Sequence, residues 1–184
     1  VDARAETDVY FAELDADGNV LRCNSVGSAA DEALTGFAID NDGNAIVSAP
    51  GLGTTKLDDR GHVLWRQPLS GSVAVDSQGN VIVAGAISGT ADFGDATLES
   101  AGGEDVLVAK LDPRGNYVFA HRYGDAGTVQ RGEGVTVDGS DDILVSGVAD
   151  GSVDFGGGAI TARPATCPEE TWCRQSGFIA KLDS

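Results

Sequence analysis

Methionine is missing from all 184 residues, histidine appears twice, cysteine three times, and aromatic side chains make up only 6% of the chain. Positive charge is scarce as well: Lys and Arg number 12 against 29 Asp and Glu, a formal net charge of -17. That balance excludes nucleic acid, because nothing here could neutralise a row of phosphates, and it argues against an anionic membrane surface. It fits solubility in a salty or extracellular setting. No apolar run approaches the ~18 residues that a membrane-inserted helix needs. Nor does a basic, apolar leader open the chain. A signal peptide is therefore expected to have been removed or to lie outside these residues, and Val1 reads as a processed end or the edge of a longer chain.

The shortage of histidine limits the chemistry. A zinc centre or a Ser–His–Asp arrangement would have to recruit His62 or His121. His62 follows Gly61 at a strand start and His121 sits in Phe119-Ala120-His121-Arg122-Tyr123, so both read as strand residues. Carboxylates are too numerous for a glycosidase-type pair to be singled out. Gly51-Leu52-Gly53-Thr54-Thr55-Lys56 has the wrong spacing for a phosphate loop and leads into a strand. No enzyme is expected. Cys167 and Cys173 flank a short polar loop, a spacing that permits a local disulfide and with it an oxidising compartment. Cys23 is left over, either a buried thiol or one whose partner lies elsewhere.

What the chain does have is a phrase that returns. Phe11-Ala12-Glu13-Leu14-Asp15 comes back as Thr54-Thr55-Lys56-Leu57-Asp58, as Val108-Ala109-Lys110-Leu111-Asp112 and as Ile179-Ala180-Lys181-Leu182-Asp183. A second phrase interleaves with it: Ala38-Ile39-Asp40, Ala74-Val75-Asp76 and Thr136-Val137-Asp138. Repetition on this scale indicates stacked or radially arranged units. Runs such as Val81-Ile82-Val83-Ala84 and Ile143-Leu144-Val145 read as buried strands, rich in β-branched residues. Between strands lie Asp15-Ala16-Asp17-Gly18-Asn19, Asp40-Asn41-Asp42-Gly43-Asn44, Asp76-Ser77-Gln78-Gly79-Asn80 and Asp112-Pro113-Arg114-Gly115-Asn116. Asp opens such a turn through its side chain and Gly supplies a positive φ at its exit. Each unit therefore holds four short antiparallel strands, the signature of a β-propeller blade. The long connections, 86–104 and 148–176, fall on the face opposite the Asp–Gly–Asn turns, as loops of a binding surface would.

Ala74-Val75-Asp76-Ser77-Gln78-Gly79-Asn80-Val81-Ile82-Val83-Ala84-Gly85 resembles the β-propeller repeats of secreted bacterial proteins. Gly89-Thr90-Ala91-Asp92-Phe93-Gly94 and Gly151-Ser152-Val153-Asp154-Phe155-Gly156 resemble that family's link into the next strand, and the strand grammar is similar to that of NHL-type propellers. The resemblance implies an all-β domain over 1–184, on the outside of a cell or at a bacterial cell surface, with no assigned reaction. It divides the chain into a partial first blade at 8–27, blades at 34–67 and 72–122, and a partial last blade at 133–183. Either this is a segment of a longer propeller, or copies assemble and complete one another.

The Asp-x-Asp-Gly-Asn stretches share part of a calcium loop, but none continues to the bidentate Glu, and turn formation explains all of them. No cofactor is expected, with calcium as the alternative. The 148–176 connection gathers Asp154, Phe155, Glu170, Trp172 and Arg174, an aromatic beside paired charges that could hold a protein or a sugar ring. The expectation is a non-catalytic binding or structural module. Its partner would be a protein or further copies of itself, with a lectin-like glycan site on the long-loop face as the alternative.

Overall fold

The structure, a computed structural model, describes residues 9–27, 33–94, 96–127, 129–161 and 175–183. Every regular element among them is a β-strand, as the composition led one to expect. Asp and Gly set the strands apart. After β1 (Val9–Leu14), the Asp15 carboxylate accepts hydrogen bonds from the N–H groups of Asp17 and Asn19, while Gly18 adopts a φ of 84°. The chain reverses, and β2 (Val20–Val26) pairs antiparallel with β1 as a two-stranded sheet.

The second sheet runs in chain order through β3 (Gly36–Ile39), β4 (Ala45–Ala49), β5 (Gly53–Leu57) and β6 (Val63–Gln67). The third begins with β7 (Gly71–Val75) and β8 (Val81–Ile87). A small hairpin of β9 (Thr90–Asp92) and β10 (Thr97–Glu99) follows, before β11 (Asp105–Leu111) and β12 (Tyr117–Tyr123) complete the sheet. The fourth takes β13 (Gln130–Val137), β14 (Ile143–Ala149) and, beyond the hairpin of β15 (Ser152–Val153) and β16 (Ile160–Thr161), β17 (Ser176–Leu182).

Three apolar cores lie between successive sheets. Val9, Val26 and Phe11 of the first meet Ala45, Val47 and Leu57 of the second. The opposite face of the second sheet offers Ile46, Ala38 and Trp65 to Val73, Val83 and Leu111 of the third. Ile82, Val106 and Val108, on the far side of the third, pack on Ile143, Val145 and Phe178 of the fourth. β4, β8 and β11 are buried at nearly every position and are mostly apolar, with the charged exceptions Asp105 and Lys110 in β11. Polar staples cross the boundaries at the rims. Trp65 Nε1 donates to the Pro113 carbonyl at 3.1 Å, and Arg22 reaches the Asp59 carboxylate at 2.8 Å.

One place recurs across the sheets. A β-bulge falls between Glu13 and Leu14, between Lys56 and Leu57, and between Lys110 and Leu111. A bulge re-aims the side chains that follow it, and here Leu57 and Leu111 are wholly buried.

From sequence, 89–94 and 151–156 are expected to be links into the next strand; in the structure both connections fold into hairpins. Gly89 and Gly94, at φ 67° and 81°, bracket β9, and the Asp92 carboxylate caps the Gly94 N–H. Phe93 then points into the core, edge-on to Tyr117 at 5.2 Å.

β7 lies tight against its paired strand β8. A Cβ on Gly71 would collide with the carbonyl oxygen of Ala84, which is backbone and cannot move aside cheaply. Gly71→Ala is expected to lower stability by about 2 kcal/mol or more, seen as a lower urea midpoint with an unchanged m-value.

Candidate binding surface

A buried ion pair organises the complete sheets. The lysine of the third-strand phrase reaches across the second strand to the aspartate that ends the first. Lys56 Nζ lies 2.7 Å from Asp40, and Lys110 Nζ lies 3.1 Å from Asp76, with all four side chains buried or nearly so. In the fourth sheet Lys181 sits 2.7 Å from Asp138 and 2.9 Å from Asp142, more openly. The Asp76 carboxylate also accepts the N–H groups of Gln78 and Asn80 and the Asn80 side-chain amide.

Burial alone would push the Asp40 and Asp76 carboxyls up, yet both are held below the usual 3.8. Hydrogen bonds from Lys56 and Asn44, and from Asn80 and Lys110, outweigh the desolvation. Asp138 is lowered chiefly by Lys181, whose amine is raised in turn.

The first sheet breaks this pattern. Glu13 stands where the other phrases carry Lys, and its carboxylate lies 3.7 Å from Arg22 on the neighbouring strand. Below it the first two sheets part to leave a groove of about 600 Å³. Phe11, Phe37 and Ile39 form its apolar wall, and Asp42, Asp58 and Asp59 join Glu13 at its rim. Phe37 pairs with Val47 as Val73 pairs with Val83, so the two hold equivalent places. Val73 is 7% exposed, but Phe37 is 50% and its neighbour Ile39 is 52% exposed. Among the described residues, nothing covers β3 as Ala38 and Ile46 cover β7.

Of the residues singled out by sequence, Asp154 and Phe155 are described, whereas Cys167, Glu170, Trp172, Cys173 and Arg174 lie outside the described residues. Asp154 accepts the N–H groups of Gly156 and Gly158. Phe155 packs between Tyr123 and Phe178, at ring distances of 4.8 and 5.1 Å, much as Phe93 packs on Tyr117. Cys23 is an exposed free thiol on β2, which corrects the buried-thiol alternative. His62 is not a strand residue: it ends a turn, where its Nδ1 meets Asp58 at 3.0 Å as the asparagine amide does in the other turns. His121 lies on β12, stacked on Phe119. The carboxylates of the Asp-x-x-Gly-Asn turns are taken up by their own N–H and amide donors. No group of three or more His, Cys, Asp or Glu among the described residues is arranged to hold a metal ion.

The groove residues escaped the sequence reading. Their one signal was Glu13 in a phrase whose other three copies match it in Leu and Asp but carry Lys.

No protein-family model matches the chain, and neither does any curated protein compared with it. Among solved structures, it is similar to a protein of unknown function from Bacteroides caccae, at 15% identity and a TM-score of 0.43. The match covers 89% of this chain and 61% of that one, so the chain spans less than two thirds of that protein's length. At that identity and score the likeness bears on neither fold nor function.

Phe155→Ala is expected to cost roughly 2 kcal/mol or more by removing a packed ring; unchanged thermal unfolding would mean that the ring is free to meet a ligand. For the acid limb, the unfolded carboxylates titrate near 3.8 and the folded ones lower. Their contribution is therefore complete above the unfolded value and lost as pH falls through the folded values. The urea midpoint should hold from neutral pH down to about 5 and fall below about 4. Asp76→Asn should cost about 3–5 kcal/mol at neutral pH, because it strands the Lys110 charge, and should flatten that acid limb.

Proposed function

We propose that this chain is a non-catalytic binding or structural module of an extracellular or cell-surface setting, its sheets the blades of an open β-propeller arc completed by further protein. One observation carries the reading: apolar side chains that are buried in the middle of the stack stand open at its margins. Ile179 of the fourth sheet occupies the place of Val108 in the third, each preceding Ala-Lys-Leu-Asp, yet it is 77% exposed while Val108 is wholly buried. Phe37 and Ile39 repeat the contrast next to the first sheet. Exposed apolar surface rimmed by polar groups marks a place of association, and unpaired sheet edges favour it further.

Strand order supports the blade reading. The second and third sheets each run through four antiparallel strands in sequence, and the strands that begin the second, third and fourth sheets pack side by side. Asp40, Asp76 and Asp138 are spent on turns and on lysine–aspartate pairs, which suits a scaffold. The acidic net charge suits an exposed setting.

Light scattering of the 184-residue chain over a dilution series tests this. The expected result is association that weakens on dilution and is relieved by Ile179→Asp, with circular dichroism unchanged. A chain that stays monomeric at every concentration, and whose mass and apolar-dye binding ignore that substitution, overturns the proposal.

A further inference from the structure

We infer that the groove between the first two sheets is the docking site of an extended, basic strand from a partner polypeptide, which adds antiparallel to the free edge of β1 and sets a Lys or Arg against Glu13. This rests on the reading of the chain as a binding module and names the chemistry of one partner.

The edge is the first support. β5 is paired on both sides, by β4 and β6, and β11 likewise by β8 and β12. β1 holds the same place relative to its turn and its bulge, but among the described residues it pairs only with β2. An edge strand leaves a row of N–H and C=O groups that an incoming strand can satisfy, and strand addition uses such an edge.

The wall beside that edge is apolar and uncovered. In the third sheet Val73 is buried beneath Ile46 and Ala38, which come from the first two strands of the second sheet. Among the described residues, no corresponding strands of the first sheet lie over Phe37 and Ile39. A segment laid along β1 would sit above this wall and remove it from water, the main source of affinity in such a contact.

Charge selects which segment. The third-strand lysines Lys56, Lys110 and Lys181 each meet the aspartate that closes their own sheet's first strand. With Glu13 in that place, a strand pair built like this chain's own would bring a carboxylate to a carboxylate. The residues lining the groove include the carboxylates of Glu13, Asp42, Asp58 and Asp59 against the single guanidinium of Arg22, which is already bonded to Asp59. Buried like charges are costly and opposite ones steer binding, so the occupant carries a cation. The lysines of a second copy do not supply it, since Lys56, Lys110 and Lys181 are held by Asp40, Asp76, Asp138 and Asp142.

The pairing of β4 with β5 gives the register. Ile46 lies opposite Lys56 and Ser48 opposite Thr54; by the same offset the cation lies opposite Glu13 and an apolar side chain opposite Phe11. Both then face the groove, since alternate residues share a face.

Two fluorescent peptides probe this with the 184-residue chain: Ac-Thr-Lys-Thr-Val-Thr-Val-Thr-amide and its counterpart with Glu in place of Lys. Anisotropy titration is expected to show saturable binding of the Lys peptide, about tenfold or more tighter than the Glu peptide. Glu13→Lys should reverse that order, and Phe37→Ala should weaken the Lys peptide by about tenfold. Both side chains are about half exposed, so the variants should fold; Glu13→Gln, which erases the preference without reversing it, carries the test if Glu13→Lys does not. Absence of binding by either peptide overturns the inference, as does an affinity indifferent to Glu13 and Phe37. So does a self-association in light scattering that Phe37→Ala abolishes, because a second copy would then be the occupant. The Ile179→Asp experiment reads the opposite margin of the stack, so the proposed function and this inference fail separately.

Discussion

A lysine amine set against a carboxylate inside a sheet stack is tolerated only if every remaining lone pair and proton finds a partner, since desolvating two charges costs more than their attraction returns. Asp76 meets that condition. Its oxygens collect two backbone N–H groups, the Asn80 amide and Lys110, so the turn that ends the first strand and the third strand are held by one carboxylate. The consequence is specification more than raw stability. Sliding the third strand by one residue would aim the lysine at the opposite face, and with it Leu111 and Val108. Turn, strand register and core are thus coupled through a group that could have been replaced by an apolar side chain only if the turn were rebuilt too.

The cores built around those pairs involve only neighbouring sheets. The third sheet has an apolar partner on each face, and its strands are accordingly apolar at consecutive positions rather than alternating. At the margins the same side-chain pattern persists without a partner among the described residues, where Phe37, Ile39 and Ile179 are exposed. Single exposed apolar residues need no explanation. Phe37 and Ile179 call for one because their counterparts at the same register positions, Val73 and Val108, are buried.

The all-β character was legible from Gly content, β-branched runs and the Asp–Gly–Asn turns, because turn chemistry acts over four or five residues and needs nothing distant. Other features were hidden for physical reasons. β9 and β15 are three and two residues long, too short for alternation to register, and Phe93 and Phe155 each stand alone in a polar stretch whose packing partners come from other strands. His62 reads as the start of a strand because its substitution for asparagine in the turn is visible only once Nδ1 is seen against Asp58. The groove is the clearest case. Glu13 differs from the lysines by one residue in a phrase, and the exposure of Phe37 depends on what lies across from it, which no local pattern encodes.

Because each core among the described residues lies between two neighbouring main sheets and the hairpins beside them, no single centre joins all of them at once. A globular interior ties each side chain to many elements, so copying one element within the gene would disturb the whole. Here a further sheet could be inherited between two existing ones with no change to the remaining interfaces, provided its outward side chains matched those it displaced. Such an architecture can lengthen by duplication and then diverge at its loops and margins, and Glu13 is a single change of this kind, a carboxylate where its sister copies carry lysine.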